Sequence, residues 1–358
     1  MIKVAINGYG RIGRVAHRII IEKYSDTIEV VAINAGHSTD MTGWMYLLQY
    51  DTTYRPLSGH ALFVQKPEEV TVKTTLESIG ALVIDDKTIP FYSEKDPTKL
   101  PWKELDVDVV IECTGAFTTP EKIKPHMDSG AKSIVLSAPF KDEAAGSTYV
   151  LGVNLESSDT SKLENVISNA SCTTNCIAPV AAIMEGTFGI EKAMMTTIHS
   201  YTSDQRIQDG GHKDYRRARA AAQNIIPTST GAAIAAAKTI PALEGIFNGI
   251  AIRVPTITGS LSDFTFLLKK DVTVEEVNTV LKQAADSTRF KGIVRTTTDP
   301  IVSSDIIGDP HSSIVDLSLT QVVGGNMVKI IAWYDNEFGY ANRLIEETVL
   351  LGKKFASA

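Results

Sequence analysis

Cysteine is scarce in this 358-residue chain, and the three present are Cys113, Cys172 and Cys176. An odd, sparse set builds no disulfide framework. No His and Cys pairs recur at metal-site spacing, so no metal is expected. Positive charge is also in deficit: 35 Lys and Arg stand against 42 Asp and Glu, a formal net charge of −7. An acidic chain is a poor default for coating nucleic acid or an anionic membrane, so neither is expected as a partner. Long apolar runs are missing too. A representative one, Ile177–Met184, contains Pro179 and is too short to span a bilayer. The opening Ile2-Lys3-Val4-Ala5-Ile6 has neither the basic flank nor the cleavage site of a signal peptide, and the expected location is the cytoplasm.

What is present is a globular composition, with 43% hydrophobic and 22% charged residues, which argues against disorder. The length predicts about two domains. Lys3–Ile6 reads as a strand, Arg11–Tyr24 as a helix with Ile12, Val15, Ala16, Ile19 and Ile20 on one face, and Glu29–Asn34 as a second strand. That is a βαβ crossover. Val107–Glu112, Pro120–Ser129 and Ser133–Ser137 continue the alternation, predicting an α/β, doubly wound, Rossmann-type parallel sheet. Beyond a helix candidate at Ile177–Thr187 the runs lengthen: Ala193–His199, Gly249–Arg253, Leu261–Leu268 and Met327–Trp333. They predict an α+β domain with a largely antiparallel sheet. The expected division is 1–171 and 172–334, with the terminal helix in 335–358 packing back on the first domain. No internal repeat is visible.

Gly8, Gly10 and Gly13 form G-x-G-x-x-G between the first strand and helix. The first glycine permits the tight turn, the second lets a pyrophosphate approach the backbone, and the third seats the helix on the sheet. The helix N-terminus then offers unpaired N–H groups to the phosphates. An acidic residue is expected at the end of the second strand to hold the adenosine ribose, but the chain reads Asn34-Ala35-Gly36-His37-Ser38. The missing carboxylate removes a repulsion against a 2′-phosphate; on the alternative reading Asn34 binds the ribose of NAD.

Ser171-Cys172-Thr173-Thr174-Asn175 lies where a strand gives way to a helix. The helix terminus is expected to lower the Cys172 pKa, and His199, ending a later strand, is its candidate base. Cys176 and Cys113 read as structural. His212-Lys213-Asp214-Tyr215-Arg216-Arg217-Ala218-Arg219 is the densest basic stretch. Together with Ser229-Thr230-Gly231 and Arg253 it offers donors to an anionic substrate. Spacing leaves open which of these converge, and a solvated loop or subunit contact is the alternative for the basic stretch.

Taken together, Asn7-Gly8-Tyr9-Gly10-Arg11-Ile12-Gly13-Arg14, Ser168–Cys176, Thr196–Thr202, Pro227–Ala233 and Trp333–Tyr340 resemble the phosphorylating glyceraldehyde-3-phosphate dehydrogenases, in family order over nearly the whole chain. The basic stretch resembles the bacterial branch. The resemblance implies that Cys172 attacks the aldehyde to form a thiohemiacetal, with His199 as base. Hydride then leaves for the nicotinamide, and inorganic phosphate releases the thioester as an acyl phosphate. It implies a place for the attacking phosphate near Ser171, Thr173, Thr230 and Gly231, and one for the substrate phosphate near Thr202, Asp204 and Arg253, with Arg217 between. Asn7, Gly8, Gly10, Arg11, Ile12, Gly13, Asn34, Ala35, Thr114, Gly115 and Ser137 are implied to hold the dinucleotide, and Asn336 its carboxamide. It also implies a homotetramer.

The chain departs from the family pattern in three places. Ala35 replaces the aspartate usual in NAD-preferring relatives, and Gly210-Gly211 replaces their Leu-Pro before His212. Both changes act at the 2′-phosphate and predict use of NAD and NADP, although no Arg or Lys occurs in Asn34–Asp40. The third is the longer Pro56–Pro90 segment, read as a loop or hairpin elaboration without functional clue. An erythrose-4-phosphate dehydrogenase and a redox-sensing or binding protein are the rival readings.

Overall fold

The computed structural model describes residues 1–156, 160 and 163–356. Cα proximity groups them into two units. One holds Met1–Tyr149, Ser158–Ala170 and Ala341–Ala358, and the other Val150–Ser157 and Ser171–Tyr340. The sequence reading ends the first domain at 171; here the described residues 150–156 group with the second unit.

In the first unit the chain runs β1 (Ile2–Asn7), α1 (Arg11–Lys23), β2 (Ile28–Asn34), α2 (Met41–Gln49), β3 (Leu62–Gln65), β4 (Gly80–Ile84), β5 (Lys87–Tyr92), β6 (Val109–Glu112), α3 (Pro120–Asp128), β7 (Ser133–Leu136), β8 (Ser147–Thr148) and β9 (Val166–Ser168). Among the described residues these strands form one sheet in the order β3-β4-β5-β2-β1-β6-β7-β9-β8. The pairings from β5 through to β8 are parallel, while β3, β4 and β5 are antiparallel. The long Pro56–Pro90 segment is thus a hairpin elaboration that extends one edge of the sheet.

Alternation of side chains builds a core on each face of this sheet. Ala5, Ala32 and Tyr92 join Trp102, Val110 and Ile134 in one cluster. Their chain neighbours Ile6, Ile33 and Phe91 join Tyr9, Leu48 and Leu82 in the other.

The second unit contains α4 (Cys172–Phe188), β10 (Ile190–Ser200), β11 (Ile226–Ser229), α5 (Ala232–Thr239), β12 (Phe247–Val254), β13 (Ser260–Leu268), α6 (Val274–Asp286), β14 (Val294–Thr297), β15 (Ser313–Val323) and β16 (Met327–Tyr334). Its strands lie in the order β11-β12-β10-β13-β16-β15-β14. Antiparallel pairs dominate, as the sequence predicts, but β10–β12 and β14–β15 run parallel.

The final helix, α7 (Phe338–Ala356), has most of its length in the first unit. There Gly352 lies so close to Ile2 of β1 that a Cβ would fall 2.3 Å from Cγ2. Lys354 Nζ donates to the Leu163 carbonyl at 2.6 Å. No helix of the described residues is long and apolar enough to cross a membrane.

Candidate functional site

In the first unit the glycine-rich turn closes by contact. Gly8 has φ +94°, and a Cβ there would stand 2.7 Å from Thr114 N; a Cβ on Gly13 would stand 2.2 Å from the Gly8 carbonyl oxygen. Gly10 has nothing within 4 Å of the same position, so its face is open to a ligand. Gly10 is also the N-cap of α1 and brings no side chain of its own to the terminus. The positive end of the helix dipole favours an anion there.

A cavity of about 460 Å³ adjoins this turn, lined among others by Asn7, Gly8, Gly10, Asn34, Ala35 and Thr114. An open cradle, a helix N-terminus and a neutral Ala35 together fit a dinucleotide. Arg11, Ile12, Gly13, Gly115 and Ser137 do not line the cavity. The Arg11 guanidinium is instead paired with Asp51 and lies over the Tyr54 ring at 5.1 Å.

The Asn34 side chain is held at both ends. It is 3% exposed, and its Nδ2 donates to Asn7 Oδ1 at 2.7 Å and to the Glu94 carbonyl at 2.8 Å. Its Oδ1 accepts from Glu94 N at 3.0 Å. The reading that its side chain binds the ribose therefore meets a side chain already bonded at both ends.

Asn7 in turn donates to Glu112 Oε2 at 2.5 Å, and Glu112 Oε1 accepts from Thr114 N at 2.7 Å. The sequence reading missed Glu112, which ties the C-terminal ends of β1 and β6 together. It also missed Lys95, which lines the cavity beside Ala35 and His37. A cation in the cavity wall thus comes from a residue remote in sequence from Asn34–Asp40.

In the second unit, Ser171 is the N-cap of α4, its Oγ accepting from Thr174 N at 3.1 Å. Ala170 just before it has φ +50°, an uncommon conformation for a residue with a Cβ. Cys172 is thus the first residue of the helix, five positions earlier than the apolar periodicity indicates. Its Sγ lies 3.4 Å from His199 Nε2.

His199 stands opposite Arg253 in the parallel β10–β12 register. Arg253 Nη1 lies 2.8 Å from His199 Nδ1 and donates to the Ser200 carbonyl at 3.0 Å, while Arg253 Nε is buried without a partner among the described residues. Tyr334 fixes the other side of the pair. Its hydroxyl reaches Thr173 Oγ1 at 3.0 Å and Thr197 Oγ1 at 2.7 Å, and its ring meets the His199 ring edge-on at 5.9 Å. Tyr334 appears in the sequence only as part of a motif, and no local signal marks it as a positioning residue.

The electrostatics correct one expectation. Burial, the largest influence, pushes the Cys172 thiol up from its ordinary value, against the Arg253 charge and the Thr173 hydrogen bonds that favour the thiolate. Burial, then Arg253, pushes His199 down to about 3. The resting pair is a neutral thiol and a neutral imidazole, because desolvation outweighs the helix terminus. Cys176 and Cys113 are pushed up to about 12 by burial.

Arg217 is held by Thr228 Oγ1 at 3.0 Å, Asp204 Oδ2 at 2.8 Å and the Ser229 carbonyl at 3.2 Å. Asp204 also pairs with His212 Nε2 at 3.3 Å. Its carboxylate is an acceptor that orients Arg217. Thr230 and the exposed Gly231 lie at the N-terminus of α5. The Thr173 hydroxyl is engaged with Tyr334, and Thr202 N donates to Gln205 Oε1 at 3.4 Å.

Asn336 is 5% exposed, and its Oδ1 accepts from Thr258 Oγ1, Gly259 N and Ser260 Oγ at 3.4, 3.2 and 2.8 Å. Its amide nitrogen has no partner among the described residues and is left to donate. No group of three metal-ligating side chains is placed to hold a metal ion among the described residues.

The glyceraldehyde 3-phosphate dehydrogenase NAD binding domain family matches residues 2–120, and the C-terminal domain of the same family matches residues 171–336. The chain is 49% identical over 353 residues to glyceraldehyde-3-phosphate dehydrogenase 2 of Streptomyces avermitilis, covering 99% of both chains. It is 50% identical over 353 residues to a glyceraldehyde-3-phosphate dehydrogenase of Streptomyces coelicolor, again covering 99% of both. With the Thermotoga maritima enzyme of that name it shares 48% over 354 residues, 99% of this chain and 100% of the relative.

Proposed function

Since the chain belongs to the glyceraldehyde-3-phosphate dehydrogenase family, we propose that it oxidises D-glyceraldehyde 3-phosphate reversibly to 1,3-bisphosphoglycerate, using inorganic phosphate and NAD or NADP, in glycolysis or its reversal. The observation that carries this reading is the 3.4 Å approach of Cys172 Sγ to His199 Nε2, with Arg253 on the same imidazole.

Cys172 Sγ attacks the aldehyde carbon as its proton passes to His199 Nε2. The first backbone N–H groups of α4 and the imidazolium Nε2–H stabilise the oxyanion, which takes that proton to become the thiohemiacetal hydroxyl. His199 next removes the hydroxyl proton as the carbonyl of a thioester forms. The nicotinamide, when bound, supplies the acceptor for the hydride, and Asn336 Nδ2 is the donor offered to its carboxamide. Phosphate then displaces the Cys172 thiolate, which recovers its proton from His199. Arg253, with Thr202, takes the substrate phosphate, and Arg217, oriented by Asp204, serves the attacking phosphate with Ser171, Thr173, Thr230 and Gly231.

Use of both coenzymes is supported by the neutral Ala35, by Gly210-Gly211 and by Lys95 in the cavity wall. The protein is proposed to act as a cytoplasmic homotetramer. The test is phosphate-dependent reduction of NAD and NADP by glyceraldehyde 3-phosphate, run side by side on the native chain and on Cys172→Ser. Turnover with both coenzymes, lost in the variant, is expected. NAD-only turnover removes the dual-coenzyme reading, and an active Cys172→Ser removes the mechanism.

A further inference from the structure

The Pro56–Pro90 elaboration has a consequence for the first unit that the dehydrogenase chemistry does not use. A second cavity, of about 250 Å³, lies where this segment meets α1 and β2, and His60, Ile84, Asp85, Asp86, Lys87 and Ile89 of the segment supply half of its lining. Ile20 and Ile21 of α1 and Ile28 and Val30 at β2 complete an aliphatic wall with Ile84 and Ile89. The charged groups sit on exposed positions: His60 Nδ1 bonds Asp85 at 2.7 Å, and Lys87 Nζ donates to the Ser25 carbonyl at 3.2 Å. His60 and Asp85 thus bond each other, Lys87 turns to a backbone carbonyl and Asp86 is exposed, which leaves the aliphatic wall as the body of the cavity.

One polar group belongs to the interior. His17 is 1% exposed and lines the cavity. Its Nδ1 is 2.7 Å from the Tyr9 hydroxyl. Among the described residues that buried hydroxyl has no other partner, so it donates to Nδ1 and leaves the proton of the neutral ring on Nε2. Burial pushes the His17 pKa down to about 3, so the ring stays neutral near neutral pH. An aliphatic cavity whose buried polar group is one N–H donor therefore wants an apolar body with one acceptor. An engineered apolar cavity of about 150 Å³ holds benzene, and a fused pair of rings suits the larger space.

We propose that this cavity is a second ligand site, for a small neutral fused-ring heteroaromatic bearing one hydrogen-bond acceptor, and that it communicates with the dinucleotide cavity through the His17–Tyr9 hydrogen bond. Tyr9 lines the first cavity and His17 the second. A ligand on His17 Nε2 holds the imidazole, and through Nδ1 holds Tyr9 beside the glycine turn. The dinucleotide site is then ordered before its ligand arrives, which raises affinity. The coupling rests on the dinucleotide reading; the site itself does not.

The test uses the full chain, first without coenzyme. Quinoline offers a ring acceptor and indole only a donor, so calorimetric titration is expected to show quinoline binding about tenfold tighter. Equal or tighter binding of indole overturns the assigned recognition. Val30→Phe and Ile21→Phe each fill the cavity from a half-buried wall position. Both are expected to keep the native melting temperature and dehydrogenase rate and to lose quinoline binding. Native-like quinoline binding in a folded occluding variant overturns the site. NAD is then titrated with and without saturating quinoline. Tightening of about fivefold in the native chain, absent in Tyr9→Phe, is expected, and an unchanged NAD affinity in the native chain overturns the coupling. Failure of glyceraldehyde 3-phosphate turnover bears on the dehydrogenase reading alone, since quinoline binding is read without it.

Discussion

The two ring nitrogens of His199 have three polar neighbours among the described residues. Nδ1 lies 2.7 Å from the Ser200 carbonyl and 2.8 Å from Arg253 Nη1, and only the carbonyl can accept a proton from it. Nδ1–H donating to Ser200 leaves Nε2 bare towards Cys172, the arrangement a base needs. Arg253 lowers the pKa of both members of the pair. Its removal by Arg253→Ala is expected to raise both, moving the kcat/KM profile as a whole to higher pH. Unphosphorylated glyceraldehyde as substrate separates this effect from lost phosphate binding, and an unmoved profile would count against the coupling. The glycines give a second contrast. Gly13→Ala drives a Cβ into the Gly8 carbonyl and is expected to destabilise the first unit by about 1–3 kcal/mol, seen in its urea midpoint. Gly10→Ala meets open space, so the midpoint holds while NAD affinity falls.

At the scale of elements, the start of α4 is carried by its cap and not by its propensity. Cys172, Thr173, Thr174 and Asn175 are indifferent helix formers, which is why apolar periodicity places the helix from Ile177. Ser171→Ala is expected to cost about 1 kcal/mol of stability. It should also slow alkylation of Cys172, since the same cap positions the first turn; a native alkylation rate would separate cap from thiol. The β1–α1–β2 unit was legible because period 2 and period 3.6 alternate cleanly there, with a glycine turn between. The hairpin β4–β5 was less so, for β4 is apolar at every position and carries no alternation. β15 escaped because its buried first half includes Ser313 and Asp316, whose polarity hides a core strand. The Cys172–His199 pair was readable from residue types, whereas the place of Arg253 depends on strand register and that of Tyr334 on two hydroxyl contacts.

Across the whole molecule, the net charge of −7 is a background against which Arg217 and Arg253 form local cationic sites. Buried neutral groups add to acid sensitivity. His17 and His199 are both pushed down to about 3 by burial. The unfolded chain takes up their protons near pH 6.5 while the native one does not, so the stability they confer is full above that value and is lost as pH falls towards 3. Each contributes a slope of about 1.4 kcal/mol per pH unit in that window. Urea unfolding between pH 7 and 4.5 is expected to show it, with His17→Gln reducing the slope by one proton. A native slope in that variant would refute the assignment. The neutral resting pair at Cys172 has a further outcome, in the wear of the protein over time. Peroxide attacks a thiolate far faster than a thiol. Burial that favours the protonated sulfur is expected to slow peroxide inactivation of the idle protein relative to a free thiolate, measured as loss of activity on peroxide treatment before aldehyde is added.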